Sequence, residues 1–391
     1  MKLSRRIRGV VAGESDGWGL YYRARALKDA GEPVVMLSIG DHDIKTAPQI
    51  LDAMDGSARG GNLGYAAVPG TAALRKAVAD RANAINHVPV APEEVIITTG
   101  GQAALFASMM AALDPGDACV VLDPYYTSFE VTVRSASATP IFVPTRAEDG
   151  FQPDAAAIEA ALTPQTRALL INTPNNPTGA VYTRERLEAV ADLCQRRDLW
   201  LLSDELYDSQ VHDGAHFSAR DLPGMAERTF QIGSMSKGYA MTGSRIGWAI
   251  APREAIDRMI DLAGATTYGL PGFIQDAAEF ALTECRESEA EVAERYRHRR
   301  NIAVAALGNG PGLSVSPPQG GMYLMLDVRA TGLSGDDFGA RLLDEERIAV
   351  MPGESFGRAA AGHIRIALTV ADDALEDAMR RIAALAARVA A

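Results

Sequence analysis

The amino-acid sequence predicts an α/β protein: a large domain with a mostly parallel seven-stranded sheet covered by helices, and a smaller α+β domain. Three observations support this fold class. From about residue 90, short apolar strands alternate with helical stretches, which is the rhythm of a parallel sheet. Most of these strands are near-continuous apolar runs, typical of strands buried on both faces. The last third of the chain changes to longer helices with fewer strands between them.

The predicted strands of the large sheet follow one another through the middle of the chain. They are VIITT (95–99), ACVVL (118–122), PIFVP (140–144), ALLIN (168–172), LWLLS (199–203), TFQIGS (229–234) and RIGWAI (245–250). Helical patterns lie between many of them, as at residues 102–113 and 184–197. This alternation predicts one sheet with helices packed on its faces.

The two ends of the chain predict the smaller domain. Its predicted strands are GGMYLMLDV at 320–328 and HIRIAL at 363–368. Its predicted helical stretches are 272–307, 336–346 and 371–390. The first 45 residues carry the strand VVMLSIG at 34–40 and are too few to form a domain alone. We therefore expect residues 1–45 to pack with the small domain, residues 46–290 to form the large domain and residues 291–391 to form the small one.

Composition excludes several classes of function. With 38 basic and 50 acidic residues the net charge is −12, which argues against a nucleic-acid surface. The basic cluster RYRHRR at 295–300 is interpreted as the solvated face of a helix. Cys119, Cys194 and Cys285 have no metal-ligand or CxxC spacing, so we expect no metal site. We expect Cys119 and Cys194 to lie in the core, and a reducing cytoplasm fits. No signal-peptide pattern and no membrane-length apolar run occurs.

One lysine stands apart from the rest of the basic residues. The chain has only five lysines, and Lys237, in SMSKGYAMTGSR (234–245), is the only one after Lys76. A buried ammonium group can lose its proton and attack a carbonyl to form a Schiff base, whereas a guanidinium cannot. Lys237 is therefore a candidate nucleophile, although a lone lysine is more often a surface residue.

Polar residues follow the predicted strands at the edge where parallel sheets bind ligands. Their positions are Gly100–Gly101–Gln102, TPNNPTG (173–179), Asp204, Ser234, Ser236, Lys237 and Arg245. Each has a purely structural interpretation: a strand-to-helix turn for the glycines, a helix N-cap for Asp204, and turn positions for the serines. Together they predict an anion cradle, a buried acid and an amine that would suit a phosphorylated, cationic, aldehyde-bearing ring.

Several motifs resemble those of the pyridoxal-phosphate-dependent aminotransferases of fold type I, class I/II. They are LSIGDHDI, YAAVPGTAALRKAV, GGQAALF, DPYYTSF, NTPNNPTG, SDELY, SMSKGYAMTGSRIGW, PQGGMY and HIRIAL, in the family's order over nearly the whole chain. Other segments, such as DLPGMAERT and YGLPGFIQDAA, look closest to the arginine:pyruvate transaminase branch. The resemblance implies pyridoxal 5′-phosphate as the cofactor.

The resemblance also implies roles for individual residues. Lys237 would form the Schiff base and shuttle the proton, Asp204 would face the pyridine nitrogen, and Tyr207 with Asn176 would bond the ring hydroxyl oxygen. The cofactor-binding set it implies is Tyr65, Gly101, Gln102, Tyr126, Asn176, Asp204, Tyr207, Ser234, Ser236, Lys237 and Arg245. Tyr126 would stack on the ring, and Tyr65 would reach the phosphate of a neighbouring subunit in a homodimer with shared sites.

The resemblance implies that Arg365 grips the substrate α-carboxylate, with Gly40 and Asn176 completing the substrate-binding set. One segment departs from the family pattern. His42 stands where the family usually has proline, and Ile44 where it has an aromatic residue. His42 is therefore either a substrate contact or a loop hydrogen-bonding residue.

The expected reaction is ping-pong transfer of an amino group from an L-amino acid to a 2-oxo acid. The branch resemblance adds a basic donor and pyruvate as acceptor, and a basic donor needs an acid near the entrance; Asp16, Asp41 and Asp43 are candidates. Aspartate, aromatic and neutral donors stay open. So do a β-lyase or decarboxylase on the same fold and a non-catalytic sensing module.

Overall fold

The computed structural model describes residues 1–11, 18–85, 87–308 and 310–390. The strands are β1 (Val35–Met36), β2 (Val95–Thr98), β3 (Ala118–Asp123), β4 (Thr139–Pro144), β5 (Thr166–Asn172), β6 (Trp200–Asp204), β7 (Thr229–Ser234), β8 (Gly247–Ile250), β9 (Ser314–Val315), β10 (Tyr323–Asp327), β11 (Ile348–Ala349), β12 (Met351–Pro352) and β13 (His363–Ala367). The helices are α1 (Arg5–Arg8), α2 (Trp18–Asp29), α3 (Pro48–Arg59), α4 (Ala72–Ile85), α5 (Gly101–Ala112), α6 (Ser128–Ser135), α7 (Ala155–Ala161), α8 (Arg184–Arg197), α9 (Met235–Gly238), α10 (Arg253–Thr266), α11 (Gly272–Glu284), α12 (Arg286–Leu307), α13 (Gly335–Glu346) and α14 (Asp372–Ala390).

The large sheet has the strand order β2-β8-β7-β6-β5-β3-β4. Its strands are parallel except β8, which runs antiparallel to both β2 and β7. This confirms the predicted α/β fold with a mostly parallel seven-stranded sheet. The register places Asn172, the last residue of β5, beside Asp204, the last residue of β6. Polar residues from neighbouring strands therefore meet at one edge of the sheet.

Both faces of this sheet are buried under helices, which explains the continuous apolar runs. Along β5, Ala168 and Leu170 belong to one apolar cluster, whereas Leu169 and Ile171 belong to another. All four side chains are at most 1% exposed. Successive side chains of a strand point to opposite faces, so a strand covered on both sides has no polar alternation.

The smaller sheet is antiparallel and has the order β12-β13-β10-β9. Its core is shared with α12 and α14, as in the contacts of Leu326, Ile366 and Ile382, all fully buried. The predicted strand at 34–40 is shorter than expected: only Val35–Met36 is extended, and it pairs in parallel with β11. The predicted helical stretch 272–307 is two helices, because the backbone leaves the helical conformation at Cys285.

One interpretation of the sequence is wrong in part. The RYRHRR segment lies in α12, but Tyr296 is fully buried and Arg299 is 1% exposed. Arg299 forms ion pairs with Asp43 and Asp372, and a buried cation is stable only with such partners. None of the described helices is both long and apolar enough to cross a bilayer.

Candidate active site

A cavity of about 320 Å³ opens where the carboxyl ends of β5, β6 and β7 face the small sheet. The residues predicted from the sequence that line it are Gly40, Gly101, Gln102, Tyr126, Asn176, Asp204, Tyr207, Ser236, Lys237, Arg245 and Arg365. Ser234 is buried at the end of β7, where its hydroxyl donates to Ser236 Oγ over 2.9 Å. Tyr65 lies away from this cavity and is 91% exposed, with its ring edge-to-face against Tyr268.

Lys237 lies on α9, a single helical turn that begins directly after β7. Ser234 caps this turn by accepting the backbone N–H of Ser236 over 3.1 Å, as serine commonly does at helix N-termini. The half-buried Lys237 side chain enters the cavity, where Nζ donates to the carbonyl oxygen of Gly40 over 2.5 Å. A Cβ at Gly40 would lie 1.7 Å from the Tyr323 hydroxyl oxygen, so any larger residue at this position would displace the Tyr323 side chain.

Asp204 presents a buried carboxylate at the floor of the cavity. Its Oδ1 accepts the backbone N–H of Leu206 over 3.3 Å, and no cationic side chain among the described residues pairs with Asp204. Burial, with a smaller contribution from the neighbouring Glu205 carboxylate, raises the pKa of Asp204 to about 7. A cation placed against a buried carboxyl group favours its ionised form and offsets the cost of burial, so this position suits a cationic group.

An anion cradle forms at the start of α5. The backbone turns sharply at Gly100, where φ is +84°, and the first N–H groups of α5 have no intrahelical acceptors. A Cβ at Gly100 would lie 2.4 Å from Arg245 Nη2, so the guanidinium packs directly against this turn. The Gln102 side chain is held by Thr132, to which Nε2 donates over 2.7 Å, and its backbone N–H stays at the helix start.

Two tyrosines meet above the floor of the cavity. The hydroxyls of Tyr207 and Tyr323 are 3.4 Å apart, and their rings are edge-to-face at 6.1 Å. Burial raises the pKa of Tyr207 well above its ordinary value, so Tyr207 is a neutral hydrogen-bond donor at neutral pH. Tyr126 packs edge-to-face on Phe129 at the cavity wall, at a centroid distance of 5.8 Å.

Arg365 lies in the middle strand pair of the small sheet with its guanidinium aimed into the cavity. It is 4% exposed and lies between the rings of Tyr323 and Phe356, with centroid distances of 4.3 and 4.5 Å. Nη1 donates to Asn176 Oδ1 over 3.0 Å, and Nη2 donates to the Ser38 carbonyl over 2.5 Å. Nε is buried without a partner among the described residues. A planar anion such as a carboxylate suits this geometry.

Two of the acidic residues predicted near the cavity entrance, Asp41 and Asp43, lie in the loop after β1 but have different surroundings. Asp41 lines the cavity, and its Oδ1 accepts the Thr242 hydroxyl over 2.8 Å. Asp43 instead forms a two-pronged ion pair with Arg299, with both N–O distances 2.7 Å. Asp16 lies outside the described residues. Asp41 is therefore the acid of this set that the structure places at the cavity.

His42 does not line the cavity; its ring bonds to the backbone of Ser236 and to Tyr296. This supports its interpretation as a loop hydrogen-bonding residue over a substrate contact. The sequence did not single out several other residues of the cavity wall, among them Tyr323, Met351 and Phe356. PQGGMY carries Tyr323 and was a usable signal; Met351 and Phe356 lie in ordinary apolar positions. The described residues contain no group of His, Cys, Asp or Glu side chains that could hold a metal ion.

Comparison with known proteins identifies relatives over nearly the full length. The family model "Aminotransferase class I and II" matches residues 32–382. The chain is 42% identical to an arginine–pyruvate transaminase of Pseudomonas aeruginosa, covering 97% of each chain. It is 38% identical to an aspartate/prephenate aminotransferase of Thermus thermophilus, covering 94% of each chain.

Solved structures give the same result for the fold. A Thermus thermophilus aspartate aminotransferase variant superposes with a TM-score of 0.93 at 36% identity, covering 98% of this chain and all of the other. The aspartate aminotransferase of Rhizobium meliloti gives a TM-score of 0.92 at 33% identity, covering 99% of both chains. The protein described here therefore belongs to the class I and II aminotransferases, the fold type I family that uses pyridoxal 5′-phosphate.

Proposed function

We propose that this aminotransferase takes the amino group of a basic L-amino acid and transfers it to pyruvate. The observation that carries the choice of donor is Asp41, a carboxylate on the cavity wall that can pair with a distal cation. The described cations on the same wall are Lys237, Arg245 and Arg365, and each is assigned below to the cofactor or to the α-carboxylate. The identity to the Pseudomonas aeruginosa enzyme supports this choice of donor and acceptor.

The residues of the cavity fit pyridoxal 5′-phosphate. The buried Asp204 carboxylate is without an ion pair among the described residues, which suits a protonated pyridine nitrogen. The α5 start and Arg245 suit the phosphate, and we assign Gly101, Gln102, Ser234 and Ser236 to the same group. When bound, the cofactor acts as an electron sink for negative charge at the substrate α-carbon.

The remaining assignments follow from the same geometry. Tyr207 and Asn176 are proposed to bond the ring hydroxyl oxygen, and Tyr126 to cover the ring face. Arg365 is proposed to bind the substrate α-carboxylate, with Gly40 and Asn176 beside it. The buried aromatic rings on both sides of Arg365 limit water around that ion pair and so strengthen it.

Lys237 is proposed as the residue that holds the cofactor covalently and later moves the proton at the substrate α-carbon. Its amine already lies inside the cavity, with Gly40 as its acceptor, so little reorganisation is needed once it is released. Arginine could not replace it, because a guanidinium stays protonated and cannot act as nucleophile or base.

The test is single-turnover spectroscopy of the purified holoenzyme with each common amino acid. Arginine and lysine should bleach the visible cofactor band fastest, and pyruvate should restore it. Release of ammonia or carbon dioxide with no lasting loss of the band would instead favour a lyase or decarboxylase, because those reactions return the cofactor to its starting form without an acceptor. Absence of any reaction with all amino acids would favour a sensing module. Borohydride trapping should label Lys237 in the wild type and nothing in Lys237→Ala.

We also propose a homodimer in the cytoplasm, in which Tyr65 of one subunit completes the other subunit's site. Tyr65 is almost fully exposed and lies outside its own chain's cavity, and the three cysteines are buried and unpaired, as in reducing compartments. Mixing inactive Tyr65→Ala and Lys237→Ala subunits should restore part of the activity, because one site of the hybrid carries neither substitution. We likewise keep residues 1–45, 46–290 and 291–391 as the proposed domain division.

A further inference from the structure

The short helix that carries Lys237 depends on outside donors for its backbone. A one-turn helix leaves its carbonyl groups without intrahelical partners. Gln210 Nε2 donates to the carbonyl oxygen of Lys237 over 2.9 Å. His42 Nε2 lies 3.1 Å from the carbonyl oxygen of Ser236, which belongs to the peptide unit that contains the Lys237 nitrogen. The backbone on both sides of Lys237 is thus held by side chains remote in sequence.

The hydrogen bonds of His42 fix its tautomer. A carbonyl oxygen only accepts, so Nε2 carries the proton toward Ser236. Nδ1 then accepts from the hydroxyl of Tyr296, 2.9 Å away, and Tyr296 is fully buried in α12. Burial, together with the charge of Lys237, lowers the pKa of His42 to about 4. The ring is therefore neutral at neutral pH, and both of its nitrogens are engaged.

The same loop also contacts the other end of the lysine. The carbonyl oxygen of Gly40, two residues before His42, accepts a hydrogen bond from the Lys237 amine. One residue after His42, Asp43 is clamped to Arg299, which also bonds Asp372 and the Leu368 carbonyl. The loop is therefore anchored to the small-sheet side of the molecule while it touches both the backbone and the amine of Lys237.

We propose that His42 is a positioning residue for Lys237. It fixes the peptide unit before Lys237, and it fixes the loop whose Gly40 carbonyl accepts a hydrogen bond from the Lys237 amine. This proposal rests on the catalytic role proposed for Lys237. Aiming of a base within a fraction of an ångström strongly affects proton-transfer rates. His42 itself touches neither the cavity nor the reacting atoms, so its contribution acts wholly through Lys237.

The experiment compares four variants of the full-length protein. His42→Leu removes both hydrogen bonds; His42→Gln keeps an N–H for Ser236 and an oxygen for Tyr296. Tyr296→Phe removes the support of Nδ1 alone. The matched control is Thr46→Val, since Thr46 lies in the same loop and donates to the Ala240 carbonyl over 2.7 Å without contacting Lys237. Thermal unfolding of each holoenzyme shows whether it is folded.

Two readouts separate positioning from general stability. In single turnovers of the holoenzyme with α-protiated and α-deuterated donor, His42→Leu should slow bleaching about 10- to 100-fold and raise the isotope effect. His42→Gln should recover most of the rate, Tyr296→Phe should fall between them, and Thr46→Val should match the wild type. In the cofactor-free protein, acetic anhydride should modify Lys237 about fivefold faster in His42→Leu, relative to Lys76, because its bond to Gly40 is loosened.

The outcomes distinguish this proposal from the proposed function. An unchanged rate and unchanged labelling in His42→Leu would overturn the positioning role. So would equal losses in His42→Leu and Thr46→Val, which would indicate only a structural loop. If borohydride instead traps a residue other than Lys237 in the wild type, the catalytic assignment fails before His42 is tested.

Discussion

The Nη1 group of Arg365 donates to Asn176 Oδ1 over 3.0 Å, joining the middle of the small sheet to the loop after β5. Two residues of the cavity wall that are 189 positions apart in the sequence are thus joined by a hydrogen bond. A substrate carboxylate at Arg365 would also lie close to the loop that follows β5. A substrate carboxylate bound at Arg365 would therefore also affect the hydrogen bond between Arg365 and Asn176.

Arg365→Lys should mainly weaken substrate capture. A lysine cannot offer two parallel N–H donors or stack flat between Tyr323 and Phe356. We expect kcat/KM for all donors to fall about 100-fold or more, while the visible spectrum of the bound cofactor stays normal. Steady-state kinetics with several donors measures this. An unchanged KM for every donor would show that another group holds the α-carboxylate.

Asp41→Asn should change donor preference and leave the reaction intact. The amide oxygen can still accept from Thr242, so the loop keeps its hydrogen bond, but the negative charge facing a distal cation is lost. We expect KM for arginine and lysine to rise about 5- to 30-fold, from the loss of about 1–2 kcal/mol of ion pairing, with alanine unaffected. Equal effects on basic and neutral donors would argue against the basic-donor proposal.

Asp43→Asn should lower stability without changing donor preference. Asp43 is one of two carboxylates that compensate the buried Arg299 guanidinium. Its loss leaves that cation under-compensated, so we expect the free energy of unfolding to fall by about 1–3 kcal/mol. Urea denaturation measures the change. The comparison variant Asp372→Asn should lose a smaller amount, because Asp372 makes a single hydrogen bond to Arg299 while Asp43 makes two.

Asp204 should make the cofactor-free protein less stable as the pH rises. Its folded-state pKa is raised from 3.8 to about 7, so the folded protein binds this proton more tightly than the unfolded chain. The stabilisation is present at low pH and is lost as the pH rises through 7. Relative to Asp204→Asn, the wild type should lose about 3 kcal/mol between pH 5 and pH 8. A constant gap between the two in urea unfolding would contradict this prediction.

Gly100→Ala should weaken binding of the phosphate specifically. The added methyl group would collide with Arg245 Nη2 at 2.4 Å, and φ of +84° is unfavourable for alanine. We expect the Kd for pyridoxal 5′-phosphate to rise about tenfold or more, with little change for pyridoxal, which lacks the phosphate. Absorbance titrations of the cofactor-free protein measure both. Parallel losses for the two ligands would place the phosphate elsewhere.

Much of the fold could be predicted from the sequence because burial on both faces leaves a clear pattern. The seven strands of the large sheet and the helices α5, α8, α13 and α14 lie within a few residues of their predicted bounds. The strand at 34–40 was predicted too long, because the carbonyls of Ser38 and Ile39 bond to the side chains of Arg365 and Thr369. The break at Cys285 has no glycine or proline to mark it.

The site was predicted through motifs, and its long-range contacts were not. The burial of Arg299 depends on Asp43, which lies 256 residues away, so the surrounding RYRHRR letters could not reveal it. The same contact decides which acid reaches the cavity. Local sequence identified the residues that follow the strands, whereas the partners that orient them come from distant segments.

The reversed direction of β8 has a bearing on how this enzyme can be re-engineered. β7 ends and β8 begins at the same edge of the sheet, with Ser234 opposite Gly247. The Lys237 amine and the Arg245 guanidinium therefore lie on one segment that is held at both ends by strand pairing. Insertions between Gly238 and Gly243 should disturb both groups together. Peptide tags or circular-permutation joints near Pro252, at the far edge of the sheet, should leave them undisturbed.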